Sequence, residues 1–119
     1  MVFSNNHVIE LTGDSCEDAQ QLLAQSGLRL DDAIDVTLGI RQNGRLIATG
    51  SVFGKVIKCL AVDEKHRGEG LAAKIVTSLV DRLADKGIHH QFVFTKPATA
   101  ELLTNLGFSE IARVGEDVV

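Results

Sequence analysis

No stretch of this 119-residue chain approaches the roughly 18 consecutive apolar residues that a membrane-crossing helix needs. Its start, MVFSNNHVIELTG, has neither a basic n-region nor an apolar h-region, so no secretory leader is signalled and a cytoplasmic location is expected. Cysteine is scarce. Cys16 and Cys59 lie far apart with no CxxC and no histidine at metal-site spacing, which signals neither a disulfide framework nor a zinc site. A reducing compartment and no metal are the expectation. A basic surplus is missing as well: 12 Lys and Arg against 16 Asp and Glu give a net charge of −4, which argues against nucleic acid as the main partner. Repeats, linkers and low-complexity tracts are absent.

What is present reads as one ordinary globular domain spanning 1–119, with 45% apolar and 24% charged residues and enough length for a single core. Charge is unevenly placed. Residues 1–35 carry Glu10, Asp14, Glu17, Asp18, Asp31, Asp32 and Asp35 against Arg29 alone, whereas Lys55, Lys58, Lys65, Arg67 and Lys74 cluster within 55–74. A compact basic zone on an acidic protein suits a small polyanionic ligand better than a long polymer.

Cys16 to Ser26 has acids at its front and Gly27 behind it, which predicts a short helix, and Asp31 to Asp35 suggests a further helical turn. Val36–Arg41, Arg45–Phe53 and Lys55–Val62 read as three strands of an antiparallel meander, the first two joined at Asn43-Gly44, a strong hairpin signal. From Gly68 to Lys86 the apolar residues Leu71, Ala72, Ile75, Val76, Leu79, Val80 and Leu83 make one helical face, stopped by Gly87. Ile88–Thr95 has strand length, Ala98–Leu106 behind Pro97 reads as a helix, and Phe108–Val114 as a closing strand. The order predicts a mixed α/β (α+β) sheet flanked by helices, parallel where helices connect the later strands.

Val56 to Ala73, VIKCLAVDEKHRGEGLAA, is the stretch that carries chemistry: a strand, a charged loop, two glycines one residue apart, and a long helix. Free N–H groups at such a helix start, aided by the helix dipole, point at an anion, and glycines let backbone approach it. Arg67 and Lys65 add charge-assisted contacts. A Walker-type GxxxxGK[ST] string is absent. Gly68 to Ala73 satisfies the GxGxx[GA] of dinucleotide-binding folds, but Asp63 to Arg67 intervene after the strand. Phe94, Thr95 and Lys96 stand where a ribose-binding acid is needed.

Lys65-His66-Arg67-Gly68-Glu69-Gly70, after the strand phrase Leu60-Ala61-Val62 and before a long helix, resembles the acyl-CoA loop of the GNAT (GCN5-related N-acetyltransferase) superfamily. Asn105 to Phe108 resembles that family's step into its last strand. The phrases Ile57-Lys58-Cys59, Gly68-Glu69-Gly70-Leu71 and Thr95-Lys96-Pro97 narrow the likeness to the N-terminal domain of the citrate lyase ligases. The resemblance implies an acyltransferase-type domain at the front of a longer ligase that acetylates the thiol of citrate lyase's prosthetic group. It implies that Leu60, Ala61, Val62, Lys65, His66, Arg67, Gly68, Glu69, Gly70, Leu71 and Ala72 hold a CoA-like ligand: coenzyme A, acetyl-CoA or a dephospho-CoA-type prosthetic group. The protein partner implied is the acyl carrier subunit of citrate lyase. ATP enters through a second domain with an HxGH signature, which 1–119 does not contain, so a fragment of this length is not expected to activate acetate.

The same family places a tyrosine four residues before the late glycine to protonate the leaving thiolate. That position is Leu103, and the chain has no tyrosine. Glu64, His66 and Glu101 are the remaining weak candidates for proton transfer, since exposed Glu and His near a loop are mostly solvated surface. Cys59 reads as a small buried hydrophobe, Phe92 and Phe94 as core, and the neighbouring His89 and His90 as pointing to opposite strand faces. Two other functions stay open: a stand-alone acetyl-CoA-dependent N-acetyltransferase, and a non-catalytic module that recognises a CoA-like arm.

Overall fold

A computed structural model describes residues 7–30 and 33–93. Strands β1 (Val8–Leu11), β2 (Val36–Gln42), β3 (Arg45–Phe53), β4 (Val56–Val62) and β5 (Phe92–Val93) form one sheet in that spatial order. The first four pair antiparallel, and β5 joins β4 in parallel at Val56↔Phe92 and Ile57↔Val93. Helix α1 (Ser15–Gln25) connects β1 to β2, and α2 (Leu71–Asp85) connects β4 to β5. The parallel pair across a helical connection and the three-stranded meander agree with the sequence pattern.

The helices cover opposite faces of the sheet, each over its own core. Ile75, Val76, Leu79 and Leu83 of α2 pack on Leu38, Ile40, Val52, Ile57 and Leu60. Ala19, Leu22 and Leu23 of α1 pack on Leu11, Leu46 and Ala61. At the far end of α2, Gly87 donates to Ala84 O and Ile88 to Leu83 O, so the glycine stop is a Schellman turn with Ile88 folded onto the core.

Sheet alternation breaks in β4, and the break has a visible cause. Thr49 faces Ala61 and Ser51 faces Lys58, so Gly50 alone opposes both Cys59 and Leu60. This two-against-one bulge puts Cys59 in the left-handed region at φ 57 and resets which side chains face which helix. Ile57 and Leu60, three apart, both face α2, while Cys59 and Ala61 face the α1 core. Cys59 is therefore half-buried among hydrophobes rather than a mid-strand core residue, its thiol 3.7 Å from Arg29 O. Gly50 is bare for a second reason. A Cβ there would lie 2.5 Å from Ile75 Cγ2 and 2.7 Å from Leu60 Cδ2.

Several expectations change. Strand β1 falls in a segment whose pattern does not alternate: Ile9 and Glu10 are both exposed, and Leu11 alone is buried. The helical turn expected at Asp31–Asp35 is not formed at 33–35, where Asp35 N–H donates to Val52 O and its carboxylate accepts from Gly54 N–H at 2.7 Å. Those two bonds hold the segment against the β3–β4 hairpin; residues 31 and 32 lie outside the described part. His89 and His90 precede β5, both exposed, in an irregular segment where Gln91 Nε2 donates to Ile88 O, so they are not strand neighbours. Phe92 is 43% exposed with the Lys55 ammonium 5.4 Å from its ring centre, and is not core. Phe94, the helix at 98–106, the strand at 108–114, Leu103 and Glu101 lie outside the described residues.

Two substitutions test this frame in urea unfolding. Gly50→Ala is expected to cost about 1–3 kcal/mol, because its methyl drives Ile75 and Leu60 apart in a filled core. Cys59→Val is expected to cost about 2 kcal/mol, since a β-branched residue is ill suited to a left-handed conformation, and Cys59→Gly distinctly less.

Candidate functional site

The candidate site begins where β4 ends. The β3–β4 ladder runs one step past the strand, with Asp63 N–H donating to Ile47 O at 2.8 Å. Asp63 is buried, 3% exposed, and its side chain anchors the charged loop beyond it. Oδ1 accepts the Lys65 N–H at 3.2 Å and caps a single 3-10 turn, Glu64–His66, while the backbone carbonyl accepts from His66 N–H at 2.8 Å. Oδ2 lies 2.9 Å from an Arg45 guanidinium nitrogen, at ion-pair distance but not aligned for a hydrogen bond. Asp63 thus ties this loop to the start of β3. Its trace in the sequence is slight: an aspartate two residues before the N–H it caps is a turn signal.

After the turn, Arg67 is extended at φ −67, ψ 147, and Gly68 and Gly70 take φ 85 and 78. A Cβ at either glycine would meet nothing within 4 Å, so it is the left-handed backbone that demands glycine there, and the space beside it is open. Gly70 is the N-cap of α2 and has no side chain with which to cap it. The first N–H groups of a helix have no intrahelical acceptor, and here they sit behind an open, glycine-lined loop at the positive end of the helix dipole. Leu71 and Ala72 are buried beneath that turn and fasten it to the core.

The loop and the first turn of α2 carry charged side chains. Lys65, Arg67 and Lys74 are exposed, and none has an acidic partner among the described residues. Glu64 is also exposed. His66 and Glu69 face each other across the loop, with Nδ1 3.2 Å and 3.4 Å from the two carboxylate oxygens. On the strand side, Leu60 and Ala61 are buried and Val62 half-buried, so backbone is the main group there that can meet a ligand. The described β4–β5 pairing ends at Ile57↔Val93, before the bulge.

The structure therefore brings Lys65, His66, Arg67, Gly68, Glu69 and Gly70 into one loop at the end of Leu60–Val62 and the start of α2. Such an arrangement can receive the phosphates of a small anion on backbone N–H groups with cations at the rim. Among the described residues, no group of three or more His, Cys, Asp or Glu is placed to hold a metal ion. No helix among them is long and apolar enough to cross a membrane.

The chain is 37% identical over 101 residues to a [citrate [pro-3S]-lyase] ligase of Haemophilus influenzae, which covers 84% of this chain and 30% of the relative. The chain thus spans under a third of the curated relative's length. Glucosamine-6-phosphate N-acetyltransferase from Arabidopsis thaliana superposes with a TM-score of 0.73 at 18% identity, over 97% of this chain and 99% of that one. An aminoglycoside N-acetyltransferase in complex with CoA does so with a TM-score of 0.71 at 16% identity, over 96% and 95% of the two chains. These likenesses show that the fold is that of the GNAT acetyltransferases. The family model of the FR47-like proteins matches residues 37–115, from β2 through the loop and α2 onward, and the chain belongs to that family.

Proposed function

We propose that residues 1–119 form one GNAT-type acyltransferase domain that belongs at the front of a citrate lyase ligase and binds the CoA-like, dephospho-CoA-derived arm of the citrate lyase acyl carrier subunit. The observation that carries this reading is the uncapped, glycine-led start of α2, set behind a loop whose Lys65 and Arg67 are exposed and without acidic partners among the described residues. A pyrophosphate fits such a place: backbone N–H groups of 68–72 receive its oxygens, and the two cations flank it. The likeness to a citrate lyase ligase supports reading the ligand as an arm of citrate lyase.

In this reading the β4 backbone of Leu60–Val62 lines the pantetheine chain, and an N–H there meets the thioester oxygen. Such a contact, preorganised where charge develops, contributes a few kcal/mol to acyl transfer. Proton transfer falls to Glu64, His66 or Glu101, since no tyrosine is present. ATP-dependent activation of acetate belongs to the remainder of a ligase. A cytoplasmic location fits this reading, because acyl carrier chemistry and two unpaired cysteines suit a reducing compartment.

A second reading is favoured by one observation. The solved acetyltransferases superpose over nearly their whole length, so the same fold serves as a complete N-acetyltransferase in those proteins. An acetyl-CoA-dependent transfer of acetyl to amines, assayed with the 119-residue chain, separates the two: turnover with amine acceptors supports the second, its absence with retained arm binding supports the first.

Calorimetry with dephospho-CoA and with CoA tests the loop directly. Binding of dephospho-CoA is the expected outcome, and failure of both ligands to bind at millimolar concentration overturns the proposal. Gly70→Asp is expected to weaken binding by about thirtyfold or more, equivalent to about 2 kcal/mol from a like charge within a few ångström of the phosphates. Gly70→Asn, which tolerates the same left-handed backbone without the charge, is expected to keep most of the affinity.

A further inference from the structure

An anion cradle with an acidic residue between its two glycines contains its own competitor. Glu69 immediately precedes Gly70, the N-cap of α2, and its side chain carries the kind of group that helix N-termini attract. Gly70 leaves the first N–H groups without a side-chain cap, so an unrestrained Glu69 carboxylate would turn onto them, or at least stand over the phosphate position and repel it.

Glu69 does not do so in this structure. Its carboxylate faces back along the loop, with Oε2 at 3.2 Å and Oε1 at 3.4 Å from His66 Nδ1. A carboxylate only accepts, so Nδ1 is the donor. The ring that makes this bond is well placed to hold it. His66 ends the 3-10 turn capped by buried Asp63, its own N–H is bonded to Asp63 O, and its side chain is 21% exposed against 46% for Glu69. The more restrained partner therefore fixes the freer one.

We propose that His66 is a positioning residue for ligand binding: it holds the Glu69 carboxylate away from the N–H groups at the start of α2, keeping them open to a phosphate. This rests on the reading of the loop as a phosphate cradle. It gives His66 a role in affinity that does not depend on direct contact with ligand or on proton transfer.

The test is a double-substitution cycle on the 119-residue chain, titrated by calorimetry with dephospho-CoA and with inorganic pyrophosphate, with thermal unfolding recorded for each variant. His66→Ala is expected to weaken both probes about fivefold while the unfolding midpoint stays level or rises, because the freed carboxylate caps the helix. Glu69→Gln is expected to bind at least as tightly as the parent, and adding His66→Ala to it is expected to change nothing further. His66→Asn, which keeps a donor on the turn, is expected to recover most of the loss. An equal loss from His66→Ala in the Glu69→Gln background overturns the proposal, since His66 would then touch the ligand itself. Unchanged binding by His66→Ala, or a fall in midpoint that parallels the fall in affinity, overturns it as well. If the parent chain binds neither probe, the cradle reading fails and this inference with it; if the parent binds and the cycle shows no coupling, this inference alone fails.

Discussion

The close approach of Ile75 and Leu60 over the bare backbone of Gly50 is the contact on which the placement of the site depends. Gly50 meets α2 on one side and, along the strand, the doubled residues Cys59 and Leu60 of the β4 bulge. Helix position and strand irregularity are thus fixed at one point. A larger residue there would lift α2 from the sheet, and the helix start would move away from the end of β4, where the loop must join them. Close-packed interiors transmit such a change over several residues rather than absorbing it locally.

From that point the loop is assembled by short-range bonds. The bulge resets alternation so that Leu60 supports α2 while Ala61 faces α1, and β4 reaches Asp63 with its carboxylate buried. Asp63 then shapes the turn that carries Lys65 and His66, and glycines shape the rest. Little of the site is built by side chains reaching across the molecule. This explains how a chain at 18% identity to an acetyltransferase of known structure keeps its architecture: the features that matter are a bulge, a capped turn and two left-handed residues, each specified by very few positions.

How much of this the sequence disclosed depended on whether a feature leaves a periodic or a compositional trace. Asn43-Gly44 announces its hairpin because both residues take positive φ, and α2 announces itself through its run from Leu71 to Leu83. The loop was legible from glycine spacing and its basic flank. Strand β1 was not, because two adjacent exposed residues erase any alternation, and pairing with β2 together with the burial of Leu11 holds it in place. The bulge was hidden for a related reason: Cys59 reads as one more apolar residue in an apolar run, and its unusual backbone belongs to the register shift opposite Gly50. Phe92 misled because an aromatic ring can lie under a lysine at the surface as readily as in a core. The His66–Glu69 contact was out of reach, since it depends on where a turn points two side chains.

The glycine cap of α2 has a thermodynamic side as well. A side-chain cap of the Ser or Asp kind contributes about 1 kcal/mol to a helix, and this helix forgoes it at the end that faces the opening. Any anion that settles there completes the helix as it binds, so part of its binding free energy reappears as added resistance to unfolding. Folding and ligand occupancy are then linked through one residue, and the domain on its own is held somewhat short of the stability its core would allow.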